Sequence, residues 1–285
     1  MKPCKTVCKP GKICNTKTGR CIKDPTEPKV AKQQNHMPTT LVCPRNMLLD
    51  NDEFLRALKS SLRAYYKHGE RSNEKLKILH SYISCALKHM FEKFHMPDVV
   101  IRSLPMREDK VAGEFYNKNV DITVRYKSQP YGLVSVKFVM SNYKQNENNY
   151  FESLLGECIN LKAKSKFRNF WFILITFDDI PYFNKNHFLK TLQKFDQTKY
   201  SALINNKERS TLLPDTVSIT VLKNKHSMVH PSKLDNTSNA TLNQYIESIL
   251  SHHHTIMHSA DQLDFFHNLE LFTLKTITNI KTASN

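Results

Sequence analysis

Residues 120–140 read VDITVRYKSQPYGLVSVKFVM, two alternating stretches on either side of a turn signal. Val120–Tyr126 and Leu133–Met140 place apolar side chains at every second position, the period of a strand with one buried face. Between them, Gln129-Pro130-Tyr131-Gly132 supplies a turn, because Pro presets one backbone angle and Gly permits the other. The stretch therefore predicts an antiparallel hairpin. Two of the charges within this apolar pattern carry the functional argument. Asp121 stands near the start of the first strand between Val120 and Ile122, and Lys137 stands in the second between Val136 and Phe138, on the same face as Ser135. A half-buried lysine needs a carboxylate partner. Asp121 and a glutamate of the following helix meet that need, either as a structural ion pair or as part of a functional site.

The flanking sequence sets the architecture. Asn51 or Asp52 is placed to cap a helix to about Tyr66, with Phe54, Leu55, Leu58 and Leu62 on one face. Ser72 is placed to cap a second helix, whose stripe from Leu76 to Phe94 ends at Met96-Pro97 and reads as core. After the hairpin come a polar loop, SNYKQNENN, and a helix from Tyr150 to about Lys164. NFWFILITF, residues 169–177, suits a buried central strand. A helix over about His187–Ile204, a strand over about Val217–Leu222 and a helical tail from about Thr241 complete the pattern. The order of elements predicts an α/β domain with a mixed sheet flanked by helices.

Metal-assisted cleavage of a phosphodiester needs carboxylates converging on Mg²⁺, and a group that orients water and answers charge at the phosphate. Asp121, Lys137 and the helix glutamates Glu152 and Glu157 offer these groups in a compact order, with Glu114 as a further carboxylate. Pro97-Asp98 is a rival acidic position, ranked below Asp121 because it lies farther from the lysine strand. His252, His253, His254, His258 and His267 lack an acidic partner in metalloprotease order and read as surface or packing histidines.

Gly113-Glu114, Val120-Asp121-Ile122 and Ser135-Val136-Lys137 resemble the active-site text of the PD-(D/E)xK, restriction-endonuclease-like nucleases. The direct likeness covers about 50 residues. The usual second carboxylate, two residues before the lysine, is replaced by Ser135. Tetrameric restriction enzymes that read CCGG-containing sites show the same departure and recover the carboxylate from the next helix. The resemblance thus implies a restriction-endonuclease-like mixed sheet, with Asp121 and Glu152 as metal ligands, Glu157 as the alternative and Lys137 as the catalytic lysine. It further implies Mg²⁺, with Mn²⁺ as a substitute, double-stranded DNA as substrate and a homodimer with one site per strand. The loop after the lysine would read bases through Ser141, Asn142, Lys144, Gln145 and Asn146. The alternative is a non-catalytic viral DNA-binding or adaptor protein on a degenerate nuclease fold, which the serine at 135 favours.

The N-terminal residues 1–23 hold Cys4, Cys8, Cys14 and Cys21 in a basic stretch. Four thiolates could hold Zn²⁺, although the spacing lacks paired C-x2-C knuckles. Residues 9–22, KPGKICNTKTGRCI, resemble a short two-cysteine adaptor module of large nucleocytoplasmic DNA viruses, which implies a tethering role and allows disulfides in a virion. Residues 24–46 read as a polar linker and 47–285 as the nuclease-like domain. Cys43, Cys85 and Cys158 read as small core residues.

The chain carries 42 Lys and Arg against 26 Asp and Glu, a formal charge of +16, which points to a polyanionic partner. A lysine-rich surface without a partner is the plainer account of the same number. No apolar run approaches the roughly 18 residues of a membrane span, and the basic N-terminus lacks the apolar core of a secretory signal. These features predict an intracellular protein (host cytoplasm or viral factory, or a virion), without structural disulfides by default.

Overall fold

The computed structural model describes residues 8, 12–15, 18, 20–23, 41–206, 210–234, 237–250, 256–257 and 264–284. The chain divides into two compact units, Met1–His36 and Met37–Asn285. The second unit thus begins inside the segment expected to be linker. Leu41 is packed against its core, and a Cys43–Cys85 disulfide ties its start to a helix. That disulfide corrects the reading of both cysteines as plain core residues.

In the first unit, β1 (Lys12–Asn15) pairs antiparallel with β2 (Arg20–Lys23). The Thr18 N–H donates to the Asn15 carbonyl at 3.1 Å and closes the hairpin. Cys8 and Cys21 form a disulfide, and Cys14 is also disulfide-bonded. Sulfurs joined in this way are not thiolates, so Cys8, Cys14 and Cys21 in this form do not offer the ligands a four-cysteine Zn²⁺ site needs. Cys4 lies outside the described residues.

The second unit opens with α1 (Asn51–His68) and α2 (Glu74–Lys93). Asp50 caps α1 by accepting the Glu53 N–H at 2.8 Å. Next come β3 (Val100–Ser103), a hairpin of β4 (Asp109–Ala112) and β5 (Asn117–Val120), then β6 (Ile122–Tyr126) and β7 (Gln129–Phe138). Helix α3 (Tyr143–Ala163) leads to β8 (Asn169–Phe177), every residue of which is buried. A second hairpin, β9 (Asp179–Phe183) with β10 (Leu189–Lys194), precedes α4 (Thr198–Asn206) and β11 (Thr216–Leu222). The chain continues through α5 (Asn239–Ile249), β12 (Ile256–Met257) and α6 (Phe265–Ser284).

The main sheet has the order β12-β11-β8-β7-β6-β3. Strand β6 runs antiparallel to both its neighbours, β3 and β7, while β7, β8 and β11 are parallel. Helices cover both faces. Trp171 meets Phe272 of α6 at 5.3 Å between ring centroids, and its neighbour Phe172, pointing the other way, meets Tyr200 of α4 at 5.9 Å. This is a mixed α/β fold with its sheet flanked by helices.

Three local readings change. The β6–β7 turn falls at Lys127 and Ser128, both with positive φ (46° and 66°), as the two-residue primed turns of hairpins require. Gly132 is a packing glycine rather than a turn glycine: it pairs with Val124, and a Cβ there would lie 2.9 Å from the Phe272 ring. The register slips between Val124 and Arg125, forming a bulge next to Pro130, which has no N–H to donate. Next, α3 begins at Tyr143 instead of Tyr150, because Tyr143 is buried against Phe195 and anchors the polar turn above it. Finally, residues 189–194 form β10 rather than the start of a helix. Asn184 Oδ1 accepts the N–H groups of Asn186 and Phe188 and turns the chain back onto β9.

Candidate metal centre

The shift in the hairpin turn decides where Asp121 falls. Continuing the Ile122–Val134 pairing by one step places Asp121 beside Ser135, and Asp121 Oδ2 accepts the Val136 N–H at 2.7 Å. Val120 and Ile122, both fully buried, hold the bend between β5 and β6 from which the carboxylate projects. Lys137 follows on β7, beside Leu174 of β8. Its ammonium has no hydrogen bond or ion pair among the described residues, though its charge acts on His80, Glu108 and Glu157.

Glu157 reaches the same place from α3. Leu154, Glu157, Cys158 and Leu161 recur at helical spacing and form the buried stripe of that helix. Glu157 is 5% exposed and pairs with Lys118 of β5 at 3.3 Å. Glu152, five residues earlier, lies on another side of the helix and is exposed. Glu114 sits at the tip of the β4–β5 hairpin, paired with Lys164 at 3.6 Å. The structure therefore brings together Asp121, Lys137 and Glu157, and places Glu152 and Glu114 outside the cluster. Asp98, at the start of β3, is exposed.

Two further residues join the site. Glu108 lies just before β4, and His80 projects from α2. Ligand atoms of His80, Glu108 and Asp121 all lie within 4.8 Å of one another. A cleft of about 410 Å³ is lined by Glu108, Asn117, Lys118, Asn119, Asp121, Lys137 and Glu157. His80 is fully buried, so it does not line the open cleft, and neither ring nitrogen has a hydrogen-bond partner among the described residues. Ser135 is also buried with its hydroxyl unpartnered. Polar atoms buried without partners are uncommon in native folds, and these two flank the carboxylates.

The electrostatics have one direction. Burial raises the Glu108 carboxyl above its usual range, with the Asp121 charge adding to the effect and Lys137 and Lys118 opposing it. Burial also raises Glu157, against the pull of Lys118 and Lys137. Burial lowers His80, opposed by Asp121 and reinforced by Lys137. A cation held between the carboxylates would reverse the penalty on both acids and favour a neutral imidazole as ligand. Two carboxylates and an imidazole fit a first-row divalent ion. The oxygens suit Mg²⁺ or Mn²⁺, and the nitrogen shifts the balance toward Mn²⁺.

The expected DNA-reading loop is largely the first turn of α3. Asn142 Oδ1 accepts the Phe183 N–H at 3.0 Å, and Asn146 Nδ2 donates to the Asn142 carbonyl at 3.2 Å. Gln145 Oε1 accepts from Gln193 Nε2 at 3.4 Å. Three of the five side chains thus already serve contacts within the fold, Ser141 is half-buried, and Lys144 is exposed.

Sequence reasoning passed over His80 and Glu108. His80 stands inside the apolar stripe of α2, where a buried polar residue was the available signal; Ser84, four residues on, bonds Ser103 at 2.7 Å. Glu108 lies in Arg107-Glu108-Asp109-Lys110, where no period marks one charge from the next. His252, His253, His254 and His258 lie outside the described residues, and His267 is exposed on α6. Among the described residues, no helix is long and apolar enough to cross a membrane.

No protein-family model matches the chain, and a comparison with curated proteins gives no match. Among solved structures, the chain is similar to the crystal structure of AF1548, a protein of unknown function, with 11% identity over 71% of this chain and 96% of that one. The TM-score of 0.24 is too low to support an argument about fold or function.

Proposed function

We propose that the chain is a metal-dependent endodeoxyribonuclease of the PD-(D/E)xK kind, hydrolysing phosphodiester bonds of double-stranded DNA. The observation that carries this reading is the convergence of Glu108, Asp121, Lys137 and Glu157 in one open cleft, with the buried His80 within ligand distance of Glu108 and Asp121. The element order α2, β6–β7, α3, β8, with β8 parallel to β7, is the arrangement the resemblance implies and supports the same reading.

In this proposal Asp121, Glu108 and His80 hold the ion, with Glu157 as a fourth ligand or as a base for the attacking water. The bound ion supplies Lewis acidity and lowers the pKa of coordinated water. The unpaired Lys137 ammonium orients that water and answers charge on the phosphate. The Val136 N–H fixes one oxygen of Asp121 and leaves the other for the ion. Glu108 and Glu157 stand where a second carboxylate is needed, since Ser135 cannot provide one. A homodimer with one site per strand remains part of the proposal.

Incubating supercoiled plasmid with Mg²⁺ or Mn²⁺ tests the reading. The wild type should nick or linearise it, and Asp121→Ala and Lys137→Ala should each reduce the rate by about 100-fold or more. Undiminished cleavage by both variants would sink the assignment. The missing carboxylate at Ser135 favours a second reading as a DNA-binding protein without turnover. That reading predicts salt-sensitive binding and intact plasmid.

A further inference from the structure

The loop joining β4 to β5 is built more firmly than an exposed tip requires. Phe115 is 75% exposed and Tyr116 is 53% exposed. Their backbone is held by one buried residue of α3. Asn160 Oδ1 accepts the N–H groups of Phe115 at 2.9 Å and Tyr116 at 3.2 Å, and its Nδ2 donates to the Tyr116 carbonyl at 3.0 Å. The Asn160 carbonyl accepts the Glu114 N–H at 2.8 Å, and the Gly113 N–H donates to the Tyr116 carbonyl at 3.0 Å. Gly113 leaves room for this clamp, because a Cβ there would lie 2.1 Å from Asn160 Nδ2.

The clamp is coupled to the cleft. Asn160 follows Glu157 by one turn on the same helix, and Asn117 and Lys118, directly after Tyr116, line the cleft. On the other strand of the hairpin, Lys110 joins Arg102 and Arg107 around a second cleft that shares Glu108 with the first. Those three cations are exposed and have no ion pair among the described residues. Exposed aromatic faces at the tip of a hairpin whose base carries a cationic track match a nucleic-acid strand running along it, whose bases stack and whose phosphates need counter-charge. A fixed backbone lowers the ordering cost of binding.

We infer that Phe115 and Tyr116 stack on an unpaired nucleobase next to the cleft, with Arg102, Arg107 and Lys110 holding the adjoining phosphates. This rests on the nuclease reading and narrows its substrate to duplex DNA carrying a single-stranded stretch, such as a flap, a gap or a frayed end.

The test is binding of 2-aminopurine-labelled oligonucleotides to the full chain in EDTA, which removes cleavage from the readout. The label is placed in a single strand, in a flap beside a duplex, and in a blunt duplex. The wild type should quench the unpaired label and bind single strand and flap about tenfold tighter than blunt duplex. Phe115→Ala/Tyr116→Ala, with a melting temperature equal to wild type, should lose quenching and most of that preference. Equal binding of the three oligonucleotides by wild type, or quenching retained by the variant, overturns the inference. So would a wild type that binds none of them but self-associates through these two residues. Quenching without Mg²⁺- or Mn²⁺-dependent cleavage of either the flap oligonucleotide or the plasmid would leave stacking intact and remove the nuclease reading. Cleavage without quenching would remove stacking alone.

Discussion

Helix α3 contributes to two buried charge clusters that differ in how completely their charges are answered. At its end, Asp215 receives Lys162 at 2.7 Å, Lys275 at 2.5 Å and the Phe170 N–H at 2.8 Å. Lys162 also donates to the Leu213 carbonyl at 2.8 Å. The unanswered donor there is Arg168 Nε, whose guanidinium already serves the Ala112 and Leu161 carbonyls. One turn earlier, at the cleft, Asp121 holds a single backbone N–H, while Lys137 and His80 hold no hydrogen bond or ion pair among the described residues. The cavity at the first cluster is the larger, about 480 Å³ against about 410 Å³. Volume therefore does not single out the site. Unpartnered buried polar atoms occur elsewhere too, at Tyr82, Asn169 and Asn224 for example, but at the cleft His80 and Ser135 lie beside converging carboxylates, and that combination marks the site.

Breaking the satisfied cluster should have the largest effect on the fold. Asp215→Ala leaves Lys162 buried without its counter-charge, and unfolding in urea should show a loss of roughly 3–5 kcal/mol. A loss below about 1 kcal/mol would mean that the pair is no more than a surface contact. Next in size is the contrast along α3. Glu157→Gln should lower plasmid cleavage by at least about tenfold, whereas Glu152→Gln should leave it nearly unchanged. The reverse order would return the ligand to the exposed position.

That contrast shows what the sequence could and could not carry. The nine-residue apolar run of β8 and the helical stripes of α1 and α2 are strong periodic signals, and each forms the element its period predicts. Asp121 and Lys137 stood out as charges set among apolar neighbours. The choice between Glu152 and Glu157 needed the phase of α3 against the sheet, which the length of the polar stretch obscured. The hairpin register was hidden because Lys127 and Ser128, not a glycine pair, adopt the positive-φ turn. Glu108 reaches the cleft through the β4–β5 insertion, whose strands are too short and polar to announce themselves.

A smaller effect distinguishes the metals. His80→Ala should weaken activity with Mn²⁺ more than with Mg²⁺, since imidazole nitrogen favours the former. An equal loss with both ions would place His80 outside the ligand set. The smallest effect concerns stability. Folding raises the Glu108 carboxyl, so its ionised form opposes the metal-free fold above the usual carboxyl range. Glu108→Gln should therefore raise the melting temperature slightly near neutral pH while lowering cleavage. His80 is shifted the opposite way, so its share of metal-free stability should fade as pH drops below the ordinary imidazole value of about 6.5. A melting temperature flat across that window in wild type, compared with His80→Ala, would contradict this.

The central claim is that the unsatisfied cluster is a divalent-metal site, and calorimetric titration of the metal-free chain with Mn²⁺ tests it most directly. The account predicts saturable binding by wild type that is abolished in Asp121→Asn while the folded state is retained. Binding absent from the wild type, or undiminished in Asp121→Asn, would contradict it.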